Sequence, residues 1–124
     1  MAKRKANVSV EKPEIRIKVR IGNGAVGPGK VHLLEQISRT GSISSAAREC
    51  GMNYRRAQYL LETMGDAMGT AVVNTAVGGA DGGGAKLTAV GHALVEAFGL
   101  LEQSIKCAAK PQLKAIAGLL KNDV

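Results

Sequence analysis

The side chains best equipped for chemistry in this 124-residue chain stand together: Asn53, Tyr54, Arg55 and Arg56, with Tyr59 one turn further on. Their chemistry is recognition. An arginine fork binds a phosphate, or holds the edge of a guanine through two parallel hydrogen bonds. Upstream, Ser42, Ser44 and Ser45 offer hydroxyls that either reach phosphate at a helix N-terminus or serve only to cap it. Catalysis finds little support. No carboxylate pair sits in a pocket-like setting, no nucleophile stands beside a base, and no His/Cys cluster has ligand spacing. The chain is therefore expected to be no enzyme and to need no metal or cofactor. Cys50 and Cys107 fall on apolar stripes and are read as small buried hydrophobes. His32 and His92 are read as surface residues.

One stretch imitates a nucleotide site. Gly22, Gly24 and Gly27 have the spacing of a dinucleotide-binding loop, and Gly24, Gly29 and Lys30 that of most of a P-loop. Both readings fail on context. Val31 stands where a P-loop needs Ser or Thr for magnesium. The preceding segment, Glu14 to Ile21, alternates Ile15, Ile17, Val19, Ile21 with Arg16, Lys18, Arg20, whereas parallel-sheet strands are usually apolar on both faces. Residues 22–30 are read instead as a flexible loop leading into a helix.

The elements that must position the recognition residues follow from periodicity. Glu14 to Ile21 is a half-buried strand. Lys30 to Thr40 is a helix with Val31, Leu34 and Ile37 inward, stopped by Gly41. Ser42 caps a short helix carrying Ala46 and Ala47, small enough for a second helix to approach. Gly51 makes a tight turn and Met52 points back into the core. Asn53 caps the next helix, on which Ala57, Leu60, Leu61, Met64 and Met68 form one stripe. Tyr54, Arg55, Arg56, Gln58 and Tyr59 then project from its exposed first turns, an arrangement that suits a DNA major groove. After Gly69, Ala71 to Val77 reads as a strand, Gly78 to Gly84 as a glycine-rich tip, and Lys86 to Thr88 as its return: the shape of a wing, whose glycines let main chain approach phosphate. Thr88 caps a long helix to about Ala109, with Val90, Leu94, Ala97, Phe98, Leu101, Ile105 and Ala108 in phase. It is too long for so small a core, so its distal half is expected to meet a second copy. Pro111 opens a last amphipathic stretch with Leu113, Ile116, Ala117 and Leu120.

The net charge is +7, which favours an anionic partner, but it is unevenly placed. Residues 1–30 hold eight Lys or Arg against two Glu, while residues 31–69 hold four of each sign. Lys3, Arg4 and Lys5 mark residues 1–13 as a basic arm. No signal-peptide core and no apolar run of membrane-spanning length is present, so a cytoplasmic protein without membrane contact is expected.

From Leu33 to Val95 the sequence resembles the N-terminal DNA-binding domain of ModE-type molybdate-responsive regulators and, more distantly, the winged helix-turn-helix of LysR-type regulators. The likeness is carried by Gly41-Ser42-Ile43-Ser44, Ala46-Ala47, Gly51-Met52-Asn53-Tyr54-Arg55, Gly78-Gly79, Gly82-Gly83-Gly84-Ala85 and Leu87-Thr88 with Gly91. It implies a homodimer joined through the first strand and the last helix. It also implies that Asn53, Tyr54, Arg55 and Arg56 match the groove-facing start of a recognition helix. The family's wing is basic, whereas Thr75, Ala80 and Asp81 stand here. The molybdate-binding half has no counterpart, so no molybdate site is expected in this chain.

The expectation is thus a mainly α protein with a small β-sheet: a basic arm (1–13), a winged helix-turn-helix with a long dimerisation helix (14–110) and a C-terminal amphipathic helix (111–124). It would bind double-stranded DNA as a homodimeric transcription regulator through Ser42, Ser44, Ser45, Asn53, Tyr54, Arg55, Arg56, Tyr59, Gly79, Gly83 and Lys86. The alternative is a winged-helix interaction or dimerisation module that modulates another regulator.

Overall fold

The computed structural model describes residues 12–76 and 84–120. It is mainly helical, with two small antiparallel sheets. The chain first forms a hairpin, β1 (Val19–Ile21) paired with β2 (Gly24–Val26). Gly22, at φ 59°, and Asn23 make its two-residue turn. The stretch read from sequence as a loop therefore holds a strand. The long strand expected from Glu14 is only partly realised: β2 offers three partners, so only three residues of the alternating segment enter a ladder. Its period-two exposure nonetheless persists from Lys12 to Ile21.

Helix α1 (Pro28–Thr40) starts two residues earlier than expected, because Pro28 supplies the preset φ of a first helical turn. It ends at Gly41, φ 74°, whose N–H bonds to the Ile37 carbonyl. Helix α2 (Ile43–Glu49) and helix α3 (Tyr54–Met68) follow, the first crossing close beneath α1 through Ala46 and Ala47, both essentially without solvent contact. Strands β3 (Val73–Ala76) and β4 (Gly84–Leu87) form the second sheet, with Thr75 opposite Ala85. The Ala85 N–H leaves this ladder and donates to the Gly41 carbonyl at 2.9 Å, tying β4 to the end of α1.

One core joins these elements. Val26, Leu33, Leu34, Ile37, Ala57 and Met64 are wholly buried within it, and Val72, Leu87 and Phe98 close it from the other side. Helix α4 (Ala89–Leu119) enters this core at one point of close approach: Gly91 lies so near the Val72 carbonyl that a β-carbon there would collide with it. Phe98 is the last α4 residue in the core. At 31 residues α4 is about 45 Å long, so some 30 Å of it projects past Phe98.

Two expectations about α4 need correction. The helix runs unbroken through Pro111 to Leu119, so no separate helix begins at Pro111. Pro111 gives up the N–H that would reach back to Cys107 and crowds that carbonyl, but it is exposed, so its ring displaces no packed side chain. Cys107 is exposed, not buried, because it stands on the projecting half where the described residues provide no packing partner. Cys50 is half-buried, and burial, with Glu49 adjacent, pushes its thiol pKa up.

Candidate nucleic-acid interface

The recognition residues are held by local backbone chemistry. Ser42 caps α2, its hydroxyl oxygen accepting from the Ser45 N–H at 3.1 Å. Gly51, at φ 73°, turns the chain, and the Met52 N–H reaches back to the Ala47 carbonyl. The turn aims Met52 inward and leaves Asn53 to cap α3, its Oδ1 accepting from the Arg56 N–H at 2.8 Å. The four residues that follow the turn are thus fixed at the very start of a helix whose apolar stripe, Ala57, Leu60, Leu61 and Met64, is locked in the core.

What projects from this anchored tip is polar and free. Arg55, Arg56 and Gln58 are exposed, and Tyr54 and Tyr59 are 45% and 58% exposed. Two ion pairs occur among the described residues, His32–Glu35 and Arg39–Glu49, and neither involves Arg55 or Arg56. The placement of the arginines runs against helix preference. The positive end of the helix dipole favours acidic side chains in a first turn, yet α3 has none there. Glu62 and Asp66 lie towards its other end. An anion placed at this tip would meet both the positive end of the helix dipole and the two guanidinium groups.

The other expected contributors separate into three groups. Ser44 is exposed beside the α3 tip, whereas Ser45 is half-buried and Ser42 is engaged in its cap. A shallow cleft of about 170 Å³ is lined by Ser42, Ser44, Tyr54, Thr75 and Gly84, so the starts of α2 and α3 and the base of the β3–β4 hairpin share one surface. Lys86 is exposed on β4, across from Asn74. Gly79 and Gly83 lie outside the described residues. Sequence reasoning missed the contribution of Thr75 to this surface, because β3 was located without its register.

The nucleotide-loop imitation resolves into structure. The Lys30 ammonium donates to the Ala25 carbonyl at 2.8 Å, inside its own connection, where a phosphate-binding lysine would have to be free. Among the described residues no three His, Cys, Asp or Glu side chains gather as a metal-ligating group, and no helix is long and apolar enough to cross a membrane.

A glycine-turned helix pair with a cationic tip, set beside a two-stranded hairpin, is the arrangement that defines this molecule. No protein-family model matches the chain. Individual proteins do. It is 41% identical over 86 residues to the molybdenum-pterin-binding protein MopA of Rhodobacter capsulatus, a match covering 69% of this chain and 32% of that protein. It is 37% identical over 76 residues to the DNA-binding transcriptional dual regulator ModE of Escherichia coli K12, covering 61% and 29%. The molybdenum transport protein ModE of Herbaspirillum seropedicae matches at 36% over 95 residues, covering 72% and 35%. The chain thus spans about a third of the length of the curated relatives it matches, which are named as ModE-type regulators and as molybdenum-pterin-binding proteins.

Proposed function

We propose that the chain is a winged helix-turn-helix that binds double-stranded DNA as a homodimer and regulates transcription, in the molybdenum-related setting for which its relatives are named. The observation that carries this reading is the α3 tip. Asn53 is spent on the cap, Tyr54 and Tyr59 stand out, and Arg55 and Arg56 are exposed and enter neither ion pair among the described residues. In this reading α3 enters a major groove, Ser44 and Lys86 touch flanking phosphate, and β3–β4 is the wing. The projecting half of α4 supports the dimer: Leu100, Ile116 and Leu119 are exposed there, Leu119 at 75%. The alternating segment before β1 supplies a second surface. A two-fold pair of tips sets half-sites about one helical turn, ~34 Å, or a multiple of it apart.

The test is fluorescence anisotropy with the full chain on genomic duplexes recovered by pull-down, at rising salt. Specific binding should fall steeply with salt. If Arg55 or Arg56 grips a guanine, its replacement by alanine should cost about 1–3 kcal/mol at one base position. If it holds phosphate, binding should weaken on all sequences and the salt slope should flatten. No binding at low salt would sink the proposal. The second reading, a module that contacts another regulator, draws on the zero net charge of residues 31–69. Absence of DNA binding at low salt would leave it standing.

A further inference from the structure

A second surface lies behind the tip, on the other side of β3. An open groove of about 550 Å³ runs between α3 and β3. Its α3 wall is one continuous stripe, Gln58, Leu61, Glu62, Gly65, Asp66 and Gly69, at the three-to-four spacing of a single helix face. Leu61 and buried Val72 make its floor apolar, and Val73 and Thr75 form its opposite rim.

The backbone of that rim is unspent. The Thr88 N–H bonds to the Val72 carbonyl at 3.0 Å, which makes Val72–Thr88 a hydrogen-bonded pair of the β3–β4 ladder. Bonded and non-bonded pairs alternate in an antiparallel ladder. The N–H and C=O of Val73 and Thr75 therefore point away from β4, into the groove. The same alternation turns the Ala85 N–H outward on the other edge, where the Gly41 carbonyl receives it. Among the described residues nothing does this for Val73 or Thr75. Nor does β3, Val-Asn-Thr-Ala, carry the lysine or proline that usually guards a sheet edge.

We propose that this groove takes an extended, cationic peptide segment of a partner protein, added as a third strand to the outer edge of β3. Main-chain hydrogen bonds to Val73 and Thr75 would supply register, as in other strand-addition sites. Charge identifies the occupant. Glu62 and Asp66 are exposed, enter neither ion pair among the described residues, and lie one turn apart on the facing wall. Neighbouring carboxylates at that helical spacing stand about 6 Å apart, close to the ~7 Å between alternate side chains of a strand. Lysines or arginines at positions i and i+2 of the segment meet both. A volume of 550 Å³ holds the four or so residues that such a strand presents, on the order of 130 Å³ each. The groove shares Ile43 and Thr75 with the shallow cleft at the tip, so an occupant would lie beside that surface without covering Arg55 or Arg56.

The probe is the acetylated, amidated hexapeptide Thr-Lys-Val-Lys-Val-Thr, titrated into the isotope-labelled full chain. Its binding should shift the amide signals of Val73 and Thr75 and slow their hydrogen exchange. Glu62→Gln with Asp66→Asn should weaken it about tenfold, the effect of two exposed ion pairs. N-methylating the peptide at the alternate amides that face β3 should abolish it. Equal binding by the N-methylated peptide or by the double variant would overturn the proposal, since neither would then act through edge or charge. Tighter binding after Lys3→Glu, Arg4→Glu and Lys5→Glu would overturn it in favour of the chain's own basic arm as occupant.

Discussion

The same substitution at two places in one helix should have opposite effects. Gly91 and Gly99 both lie in α4, eight residues apart. At Gly99 an added β-carbon meets nothing within 4 Å, and alanine there should stabilise by up to about 1 kcal/mol through helix propensity alone. At Gly91 it meets the Val72 carbonyl carbon at 3.2 Å and the Leu87 β-carbon at 3.3 Å, and collides outright with the Val72 carbonyl oxygen. That oxygen accepts the Thr88 N–H, and the Thr88 hydroxyl in turn donates to the Ala71 carbonyl at 2.8 Å and caps α4 by accepting from the Gly91 N–H. The obstacle is backbone on a bonded joint, which cannot swing aside. Overpacking should cost about 1–3 kcal/mol, and a weakened Thr88–Val72 bond about 1 more. The propensity gain returns about 1. Gly91→Ala should therefore destabilise by about 1–3 kcal/mol and lower Tm by on the order of 10 °C. Urea and thermal unfolding of both variants at equal protein concentration measure the difference. If Gly91→Ala unfolds no earlier than Gly99→Ala, α4 does not dock on Val72 as described, and the orientation of its projecting half is wrong too.

Other perturbations test the tip and the free thiols. Asn53→Ala removes the oxygen that holds the Arg56 N–H and should cost about 1 kcal/mol, read as an earlier urea midpoint. Gly51→Ala meets no neighbour within 4 Å but keeps a φ of 73°, so about 1–2 kcal/mol of pure backbone strain should appear in the same assay. Arg55→Gln with Arg56→Gln relieves the unfavourable pairing with the helix dipole, so Tm should hold or rise while anisotropy shows weaker DNA binding; a fall in both would mean the arginines brace the fold. Brief alkylation near neutral pH followed by mass spectrometry should mark exposed Cys107 before Cys50, whose raised pKa leaves less thiolate.

Local chemistry made most of the fold legible. Gly41, Gly51 and Gly69 all adopt positive φ, and Ser42, Asn53 and Thr88 all cap as their types dictate, because each depends only on residues three or four away. The short strand β2 was hidden by its composition. Gly24-Ala25-Val26 has little strand propensity, and it is held as a strand by its pairing with β1 and its close approach to α3, where a β-carbon added at Gly24 would stand 3.2 Å from that of Ala67. The Gly22-Asn23 turn was a usable hairpin signal, overshadowed by the glycine spacing that suggested a nucleotide loop. Pro111 misled in the opposite direction. Its penalty is real, but in an exposed helix the ring has no packed neighbour to disturb, and the apolar run on both sides continues in phase.

The recognition tip and the groove behind it differed in legibility for a related reason. Asn53 to Arg56 are consecutive, so a sequence reader finds them together without knowing the fold. The groove needs Glu62 and Asp66 from one element and the outward amides of Val73 and Thr75 from another, and which amides point outward depends on a register set by Val73 opposite Leu87. Turning β3 over by one residue would present Asn74 and Ala76 to the edge instead and set Asn74 on the face that Val73 now shares with Leu87. The packing of Val73 against the core, on the same face as Leu87, therefore fixes both the facing of β3 and the exposure of the Val73 and Thr75 backbone. Val73→Asn combined with Asn74→Val should invert that choice: if strand addition at β3 depends on this facing, the swapped chain should lose peptide-induced protection at positions 73 and 75 even where its helices α1 to α3 remain folded by circular dichroism.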